Sequence, residues 1–470
     1  MRDDMKDLAH NIRKVAFGLL GLLVILFFYV TYIQVVESDF LVNHPLNRRT
    51  FEASHLTPYG MILDKNGKRL AYSKKTGEDF HREYPYGRIT AHVVGYDSDK
   101  YGRTGIESSF HGELSGKNTS VMHLGAISHL FINKKGNNVV LTLDANIQET
   151  AYKALGNHKG AIVAINPKTG AILAMVSKPA FDPNEIDQQW SAISTDKNSP
   201  LLNRGTQGLY PPGSIIKVMI AEAARREKII DLKKTIFCEA ALKIPPDYVL
   251  HESHQEAYGN MNLEEALAVS SNVFFGTLSL ELGRKKMENT FESFGFKRST
   301  GQELQEAASH LPDFSSLGDG DLAQTGIGQG SLLVTPLRMA MLAGCFANKG
   351  KIMRPYLVEK ITDTDNNLIK IVAPEEWLSP SDPQLADEIS NMMVGVVRNG
   401  TGTAASIAGV TVAGKTGTAE NAQGDPHAWF IGFAPADNPQ IAVAVIVENS
   451  GFGGSTAAPV ARQVLRAALQ

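Results

Sequence analysis

An uncharged apolar run near the start of the chain constrains its architecture more than any other feature. From Val15 to Val36 only Thr31 and Gln34 interrupt the apolar side chains. As a helix rising about 1.5 Å per residue, the run reaches roughly 33 Å, enough to cross a bilayer core. Arg13 and Lys14 stand immediately before it, and Glu37 and Asp39 follow. Positive charge stays on the cytoplasmic side. The pattern therefore predicts a cytoplasmic tail over residues 1–14, a transmembrane anchor over 15–36 and an extracytoplasmic remainder. A cleaved signal peptide is the alternative. Its apolar region would be shorter, and no A-x-A-like site occurs in Gln34-Val35-Val36-Glu37-Ser38, so a retained anchor is the reading adopted.

With 470 residues and 43% hydrophobic content, the chain can bury one large core, or two of unequal size. A net charge of −3 argues against nucleic acid as a partner. Cys238 and Cys345 are far apart and have no metal-ligand spacing. That excludes a disulfide scaffold and leaves a single bridge open.

From residue 37 to 159 the sequence reads as short strands and turns. Met61–Asp64 and Arg69–Tyr72 flank Lys65-Asn66-Gly67-Lys68, and Asn-Gly between apolar strands predicts a hairpin. A second break from Lys134 to Asn138 leads into a strand, Val139–Leu143. Asp144 then caps a helix that ends near Leu155 and Gly156. His81, His92, His111, His123 and His129 are scattered without ligand spacing. No catalytic constellation is visible here, and this part reads as a pedestal.

A second domain, 160–470, opens with the apolar strands Ala161–Ile165 and Ala171–Ser177 around a turn, Asn166–Gly170. Further strands are expected at Val410–Thr418, Ala428–Ala434 and Ile441–Glu448, with a last helix from about Ala458 to Leu469. The middle, Ser214 to Lys349, is expected to be mainly helical, with runs at Leu263–Val269, Asn272–Leu282 and Pro336–Ala347. Strands at both ends with helices between predict an α+β fold, an antiparallel sheet closed by its own termini.

Three short motifs fall in this domain. In Tyr210-Pro211-Pro212-Gly213-Ser214-Ile215-Ile216-Lys217 the prolines and glycine stop one element and a helical run begins. Ser214 then sits in the first turn, where free N–H groups favour negative charge, and Lys217 shares its face three residues on. A lysine one turn from a serine can activate it without histidine. Taken alone, the pair is equally an ordinary capping serine with a solvated lysine. Ser270-Ser271-Asn272 lies between two helical runs, where small polar residues usually cap. Lys415-Thr416-Gly417-Thr418 ends a β-run; Gly414 and Gly417 would let a ligand backbone approach, as suits a strand that pairs with an extended peptide.

In this order, S-x-x-K, S-x-N and K-T-G resemble the penicillin-recognising serine acyl-transferases. Tyr210–Ser214, Gly326-Ile327-Gly328-Gln329-Gly330, Gly400-Thr401-Gly402-Thr403-Ala404 and Ala428–Pro435 look like class B penicillin-binding proteins. So do Gly105-Ile106-Glu107 and Leu141–Asp144 in the pedestal. The short form is similar to small actinobacterial and Gram-positive members. Pro58-Tyr59-Gly60 departs from the Arg-Gly that many members carry before the first pedestal strand, a matter of packing or partner contacts.

The resemblance implies a penicillin-binding transpeptidase fold on a β-rich pedestal, and D,D-transpeptidation of peptidoglycan stem peptides with inhibition by β-lactam antibiotics. Ser214 would attack the penultimate D-Ala carbonyl. Lys217, its pKa lowered by burial and by the nearby cation Lys415, would take the proton. Ser270 would relay it to the leaving amine, and Asn272 would bind substrate backbone and Lys217. Lys415, Thr416 and Thr418 suit the terminal carboxylate beside Gly417, and the N–H groups of Ser214 and Thr418 would form the oxyanion hole. No cofactor or metal is implied. A polytopic glycan polymerase is the expected partner; the sequence does not distinguish a role in elongation, division or sporulation.

Five other readings stand beside this one. His251-Glu252-Ser253-His254 suggests zinc but offers no third ligand. A class A β-lactamase would need an E-x-x-L-N glutamate, and Gly301-Gln302-Glu303-Leu304-Gln305-Glu306 does not fit; a β-lactam sensor would need cytoplasmic signalling machinery, for which the roughly 14 residues before the span leave little room. A D,D-carboxypeptidase differs only in using water as the acyl acceptor. A silent wall-assembly scaffold would need its defect outside the three intact motifs.

Overall fold

The computed structural model describes residues 2–37, 57–116, 136–422 and 424–470. Asp39, His123, His129 and the start of the break expected at Lys134 lie outside the described residues. Helix α1 (Arg2–Val35) contains the apolar run, and its stretch His10–Val35 is long and apolar enough to cross a membrane.

Strands β1 (Ile62–Leu63) and β2 (Arg69–Thr76) form the expected antiparallel hairpin, followed by β3 (Asp79–Glu83). Asp64 Oδ1 accepts the N–H groups of Asn66 and Lys68 at 2.9 and 2.7 Å, and Gly67 takes φ +83° to close the turn. Strand β4 (Asn138–Leu141) runs parallel to β1. Helix α2 (Ala145–Ala154) starts at Asp144, whose carboxylate caps the N–H groups of Asn146 and Ile147.

Beyond it come β5 (Gly160–Ile165), β6 (Ile172–Lys178), α3 (Lys217–Arg226), β7 (Ala241–Ile244), β8 (Tyr248–His251), α4 (Leu263–Val269) and α5 (Asn272–Ser293). The chain continues through α6 (Pro336–Ala347), β9 (Val358–Thr362), β10 (Leu368–Ile371), α7 (Pro383–Asn399), β11 (Ala413–Ala419), β12 (His427–Ala434), β13 (Ile441–Val447) and α8 (Ala457–Ala468).

The central sheet is antiparallel in the order β11-β12-β13-β5-β6, so the two ends of the second domain meet in one sheet as expected. It is buried on both faces, which is why its strands read as unbroken apolar runs. In β13, Ile441, Val443, Val445 and Val447 pack with α2 and α8 through Ile147, Ala151, Ala461 and Val464. Ala442, Ala444 and Ile446 face the opposite core, which holds α6 and α3. All of α6 is buried; Pro336 follows its capping residue Thr335, whose hydroxyl accepts the Arg338 N–H. At about 25 cal/mol per Å2 of apolar surface, burial on both faces makes this sheet a rigid base for whatever sits at its edge.

Three expectations need correction. The middle of the second domain, expected to be mainly helical, also carries short strands. Residues Ile236–Cys238 pair with Gly259–Met261, and β7 pairs with β8, both antiparallel. These strands are three or four residues long, too short to show a period. The strand expected from Val410 begins at Ala413, because Val410 N–H turns back to Ile407 O at 3.1 Å. The N-terminal sheet is completed from far along the chain, in the order β10-β9-β4-β1-β2-β3. Residue 160 marks where the central sheet starts, but β9 and β10 return to the pedestal. Thr142 Oγ1 also donates to Ile172 O at 2.8 Å, and Asp144 N–H to Leu173 O at 2.9 Å. Backbone hydrogen bonding thus runs across that point in the sequence.

Candidate active site

The turn before Ser214 is fixed from several sides. Tyr210 exchanges two backbone hydrogen bonds with Val334, at 3.0 and 2.9 Å, and its hydroxyl donates to Glu448 Oε1 at 2.7 Å. Burial alone would lift the Glu448 carboxyl; hydrogen bonds from Tyr210, Arg204 and Lys159 hold it below its ordinary value. Trp429 Nε1 donates to Pro211 O at 3.0 Å. Gly213 adopts φ +58°, and its N–H donates to Gly328 O at 2.8 Å. A β-carbon on Gly328, itself at φ +80°, would stand 2.1 Å from Gly213 O. The glycine in Gly326–Gly330 is therefore a backbone contact for the Ser214 turn. We expect Gly328→Ala to cost at least about 1–3 kcal/mol of stability and to slow covalent labelling of Ser214 together with it. Thermal melting and labelling rate check this; wild-type values in both would remove the contact from the argument.

Residues Gly213–Ile216 form one turn of 3₁₀ helix before α3, rather than the α-helix expected from Ser214 onward. Three residues per turn eclipse positions i and i+3, so Lys217 lies in line with Ser214. Ser214 is half-buried; Lys217 is 0% exposed. Lys217 Nζ donates to Ser270 O and to Asn272 Oδ1, each at 2.7 Å, and lies 3.4 Å from Ser270 Oγ. Among the described residues no hydrogen bond joins it to Ser214. A neutral amine that gives two N–H groups to the short acceptors keeps its lone pair free. Burial brings the Lys217 pKa down to about 7, against a smaller upward pull from the Glu252 carboxylate. The direction is the expected one, but burial leads and not a neighbouring cation.

Lys415, also 0% exposed, lies well below the ordinary lysine range, first through burial and then through Lys217. Its Nζ donates to Ser270 Oγ at 2.9 Å and to Thr416 O at 3.0 Å. Ser270 Oγ thus stands between the two amines. It is placed there by strain: Ser270 ends α4 in the left-handed region, φ 65° and ψ 40°, at a cost of about 1–2 kcal/mol. That conformation aims its carbonyl at Lys217 Nζ.

Glu252, 2% exposed, is no metal ligand here. It accepts from Ser271 Oγ, from Asn272 N–H at 2.7 Å and from Val273 N–H at 3.1 Å, capping the N-terminus of α5. Among the described residues no group of His, Cys, Asp and Glu side chains could hold a metal ion. Glu303 accepts the N–H groups of Leu357 and Val358, while Glu306 binds Thr300 and Arg338, which accounts for both glutamates of the 301–306 stretch. Cys238 and Cys345 are both free and buried.

Strand β11 is the edge of the central sheet, and Thr416 and Thr418 face the open side. Thr416 Oγ1 lies 2.6 Å from Thr401 Oγ1, and a β-carbon on Gly417 would press on Ile215 Cγ2 and Pro212 O at 3.0 and 3.1 Å. Ser214, Ser270, Asn272, Thr416, Gly417 and Thr418 line one cleft of about 730 Å3, and the buried Lys217 and Lys415 lie behind its lining, each with Nζ within reach of Ser270 Oγ. All eight sequence-predicted residues come together here.

Residues 160–466 match the family described as the penicillin binding protein transpeptidase domain, and residues 59–139 match the penicillin binding protein A dimerisation domain. The chain belongs to the penicillin-binding protein transpeptidase family. Peptidoglycan D,D-transpeptidase PbpA of Mycolicibacterium smegmatis is 33% identical over 98% of this chain and 99% of its own. Peptidoglycan D,D-transpeptidase MrdA of Acinetobacter baumannii is 32% identical over 80% of this chain and 64% of its own. Among solved structures, the penicillin G acyl-enzyme complex of penicillin-binding protein A from M. tuberculosis superposes with a TM-score of 0.80, at 33% identity, covering 88% of this chain and all of that one.

Sequence reasoning assigned no place in the site to Thr401 and did not foresee the structural use of Glu252. Thr401 lies in the Gly400–Ala404 segment already noted for its resemblance, and its contact with Thr416 shows what that segment does at the site. Glu252 had been visible only as a possible zinc ligand between two histidines.

Proposed function

We propose that this protein is a membrane-anchored peptidoglycan D,D-transpeptidase that works through a Ser214 acyl-enzyme and is inhibited by β-lactams. The observation that carries the reading is the convergence of Ser214, Lys217, Ser270, Asn272, Lys415, Thr416 and Thr418 on one cleft at a free strand edge. A stem peptide would extend along β11, with its terminal carboxylate at Thr416, Thr418 and Lys415. That carboxylate would favour the ammonium form of Lys415, and the charge so restored would hold the adjacent Lys217 neutral.

Lys217 then takes the proton of Ser214 as its oxygen bonds to the penultimate D-Ala carbonyl. The N–H groups of Ser214 and Thr418 stabilise the oxyanion, at about 3–4 kcal/mol per donor. Ser270 passes the proton to the leaving D-Ala nitrogen as the amide breaks. An amine from a second stem attacks the ester by the reverse route and frees Ser214. Asn272 holds Lys217 and the substrate backbone.

Arg13 and Lys14 put the tail inside and the active site outside, and a polytopic glycan polymerase is the partner that would deliver nascent strands. A D,D-carboxypeptidase would share every step up to the acceptor. Full-length protein, lipid-linked precursor, a glycan polymerase and an amine acceptor should give cross-links or D-amino-acid exchange beyond simple D-Ala release, all lost in Ser214→Ala. Chromatography of the digested product separates the outcomes. Ser214-dependent D-Ala release with background cross-linking would establish the carboxypeptidase.

A further inference from the structure

Glu252 holds no place in the chemistry just described, yet it lies beneath it. It leaves β8 at the corner where His251 O accepts Asn272 Nδ2 at 2.9 Å, so the hairpin β7–β8 reaches the catalytic asparagine through two successive residues. Its own oxygens divide the work. Oε1 takes Ser271 Oγ and Val273 N–H, and Oε2 takes Asn272 N–H. Ser271 Oγ in turn caps Phe274 N–H at 3.1 Å. The short peptide between α4 and α5 is thus pinned at Ser271 and Asn272, one residue from the strained Ser270. A cap alone needs no buried charge, since Ser, Thr, Asn or Asp at the first position would do.

We propose that Glu252 is a positioning residue for acylation: its buried carboxylate holds the Ser270–Asn272 corner against Lys217 and Lys415, and its charge acts on Lys217. The inference rests on the transpeptidase reading of the same site. Both roles act through the corner and not by contact with substrate. The groups around Glu252 can be enumerated. Lys217 on α3 is the lysine it acts on, and Lys415 on β11 interacts in turn with Lys217. Cys238 and Tyr258 face it from the neighbouring strand pair, each pushed up first by burial and also by Glu252, so both stay neutral around pH 7. His251 and His254 flank it in sequence. Removing the carboxylate withdraws support from the Lys217 ammonium, so the neutral form persists to lower pH.

The test uses the full chain in detergent and the second-order rate of labelling by fluorescent benzylpenicillin from pH 5 to 9. In Glu252→Gln one oxygen becomes an amide that opposes an N–H or O–H donor. The plateau rate should fall about 10-fold or more, while the acidic limb moves to lower pH by at least about half a unit. Glu252→Asp keeps the charge but retracts it by one methylene. It should lower the plateau and leave the limb where the wild type has it. A lowered plateau with an unmoved limb in Glu252→Gln is what a structural cap alone gives, and would overturn the proposal, as would wild-type behaviour. Should the glutamine variant not fold, the aspartate variant decides, and a wild-type plateau or a displaced limb there overturns it. Failure of the wild type to label at Ser214 would instead remove the transpeptidase reading beneath.

Discussion

Ser214→Ala is expected to abolish covalent labelling by penicillin while leaving the fold intact. The two halves of that expectation have separate grounds. On the proposed mechanism the Ser214 hydroxyl is the nucleophile, while Ser270 Oγ is bonded to Lys415 Nζ at 2.9 Å as the proposed proton relay and Thr416 Oγ1 lies beside Thr401, so no other hydroxyl is expected to take its place. The hydroxyl of Ser214 makes no hydrogen bond among the described residues, and its turn is held by Gly328, Tyr210 and Trp429 through backbone atoms and their own side chains. Losing it should change stability by no more than about 0.5 kcal/mol, the range for substitutions that break no packed or polar contact. Intact-protein mass spectrometry should show one adduct per wild-type chain, mapped to Ser214, and none on the variant, with melting temperatures within a degree or two of each other. An adduct on another residue, or none on folded wild type, would dismantle the assignment.

Much of this site was legible before any coordinates, because its three motifs are local. Each one announces itself by composition: Pro-Pro-Gly at the turn before Ser214, two serines between helical runs, two glycines around Lys415 in a β-run. The central sheet was legible for a related reason. Strands buried on both faces must be apolar throughout, so Ala161–Ile165 and Ile441–Glu448 stand out from any half-exposed segment. What the sequence could not convey is mutual distance. That Ser270 Oγ lies between two lysines depends on one left-handed residue at the end of α4. That Glu252 caps α5 depends on a hairpin whose strands are too short for any periodic signal.

The largest omission was β9 and β10. Val358–Thr362 pairs with Asn138–Leu141, more than two hundred residues earlier, and Leu368–Ile371 is exposed along its whole length. A strand with such a remote partner carries no nearby complement from which its pairing could be read. The N-terminal sheet is therefore joined to the second domain by β9 and β10, which precede α7 in the chain, and by the Thr142 Oγ1 bond to Ile172 O.

Lys217 is where the electrostatic argument can be tested most sharply. Lys217→Ala should reduce acylation by at least about 10²-fold, the lower range for loss of a general base. Stability should suffer less, because the deletion removes a buried polar group as well as its bonds to Ser270 O and Asn272 Oδ1. The more discriminating variant is Lys217→Arg. A guanidinium keeps a cation and its donors at this place, but it stays protonated throughout the accessible pH range and can accept no proton. If Lys217 acts only by orienting Asn272 and Ser270 or by its charge, arginine should restore much of the rate. If it acts as the base, arginine should be as slow as alanine. The pH profile adds an independent sign. Because burial holds the Lys217 pKa near 7, the reactive neutral form is lost as pH falls through about 7, so wild-type acylation should rise through neutrality and level off above it. The residual rate of Lys217→Ala should lack that limb. Arginine activity close to wild type, or an alanine variant that still titrates near neutrality, would move the base to another group, and Lys415, the other buried amine at Ser270, would be the first to examine.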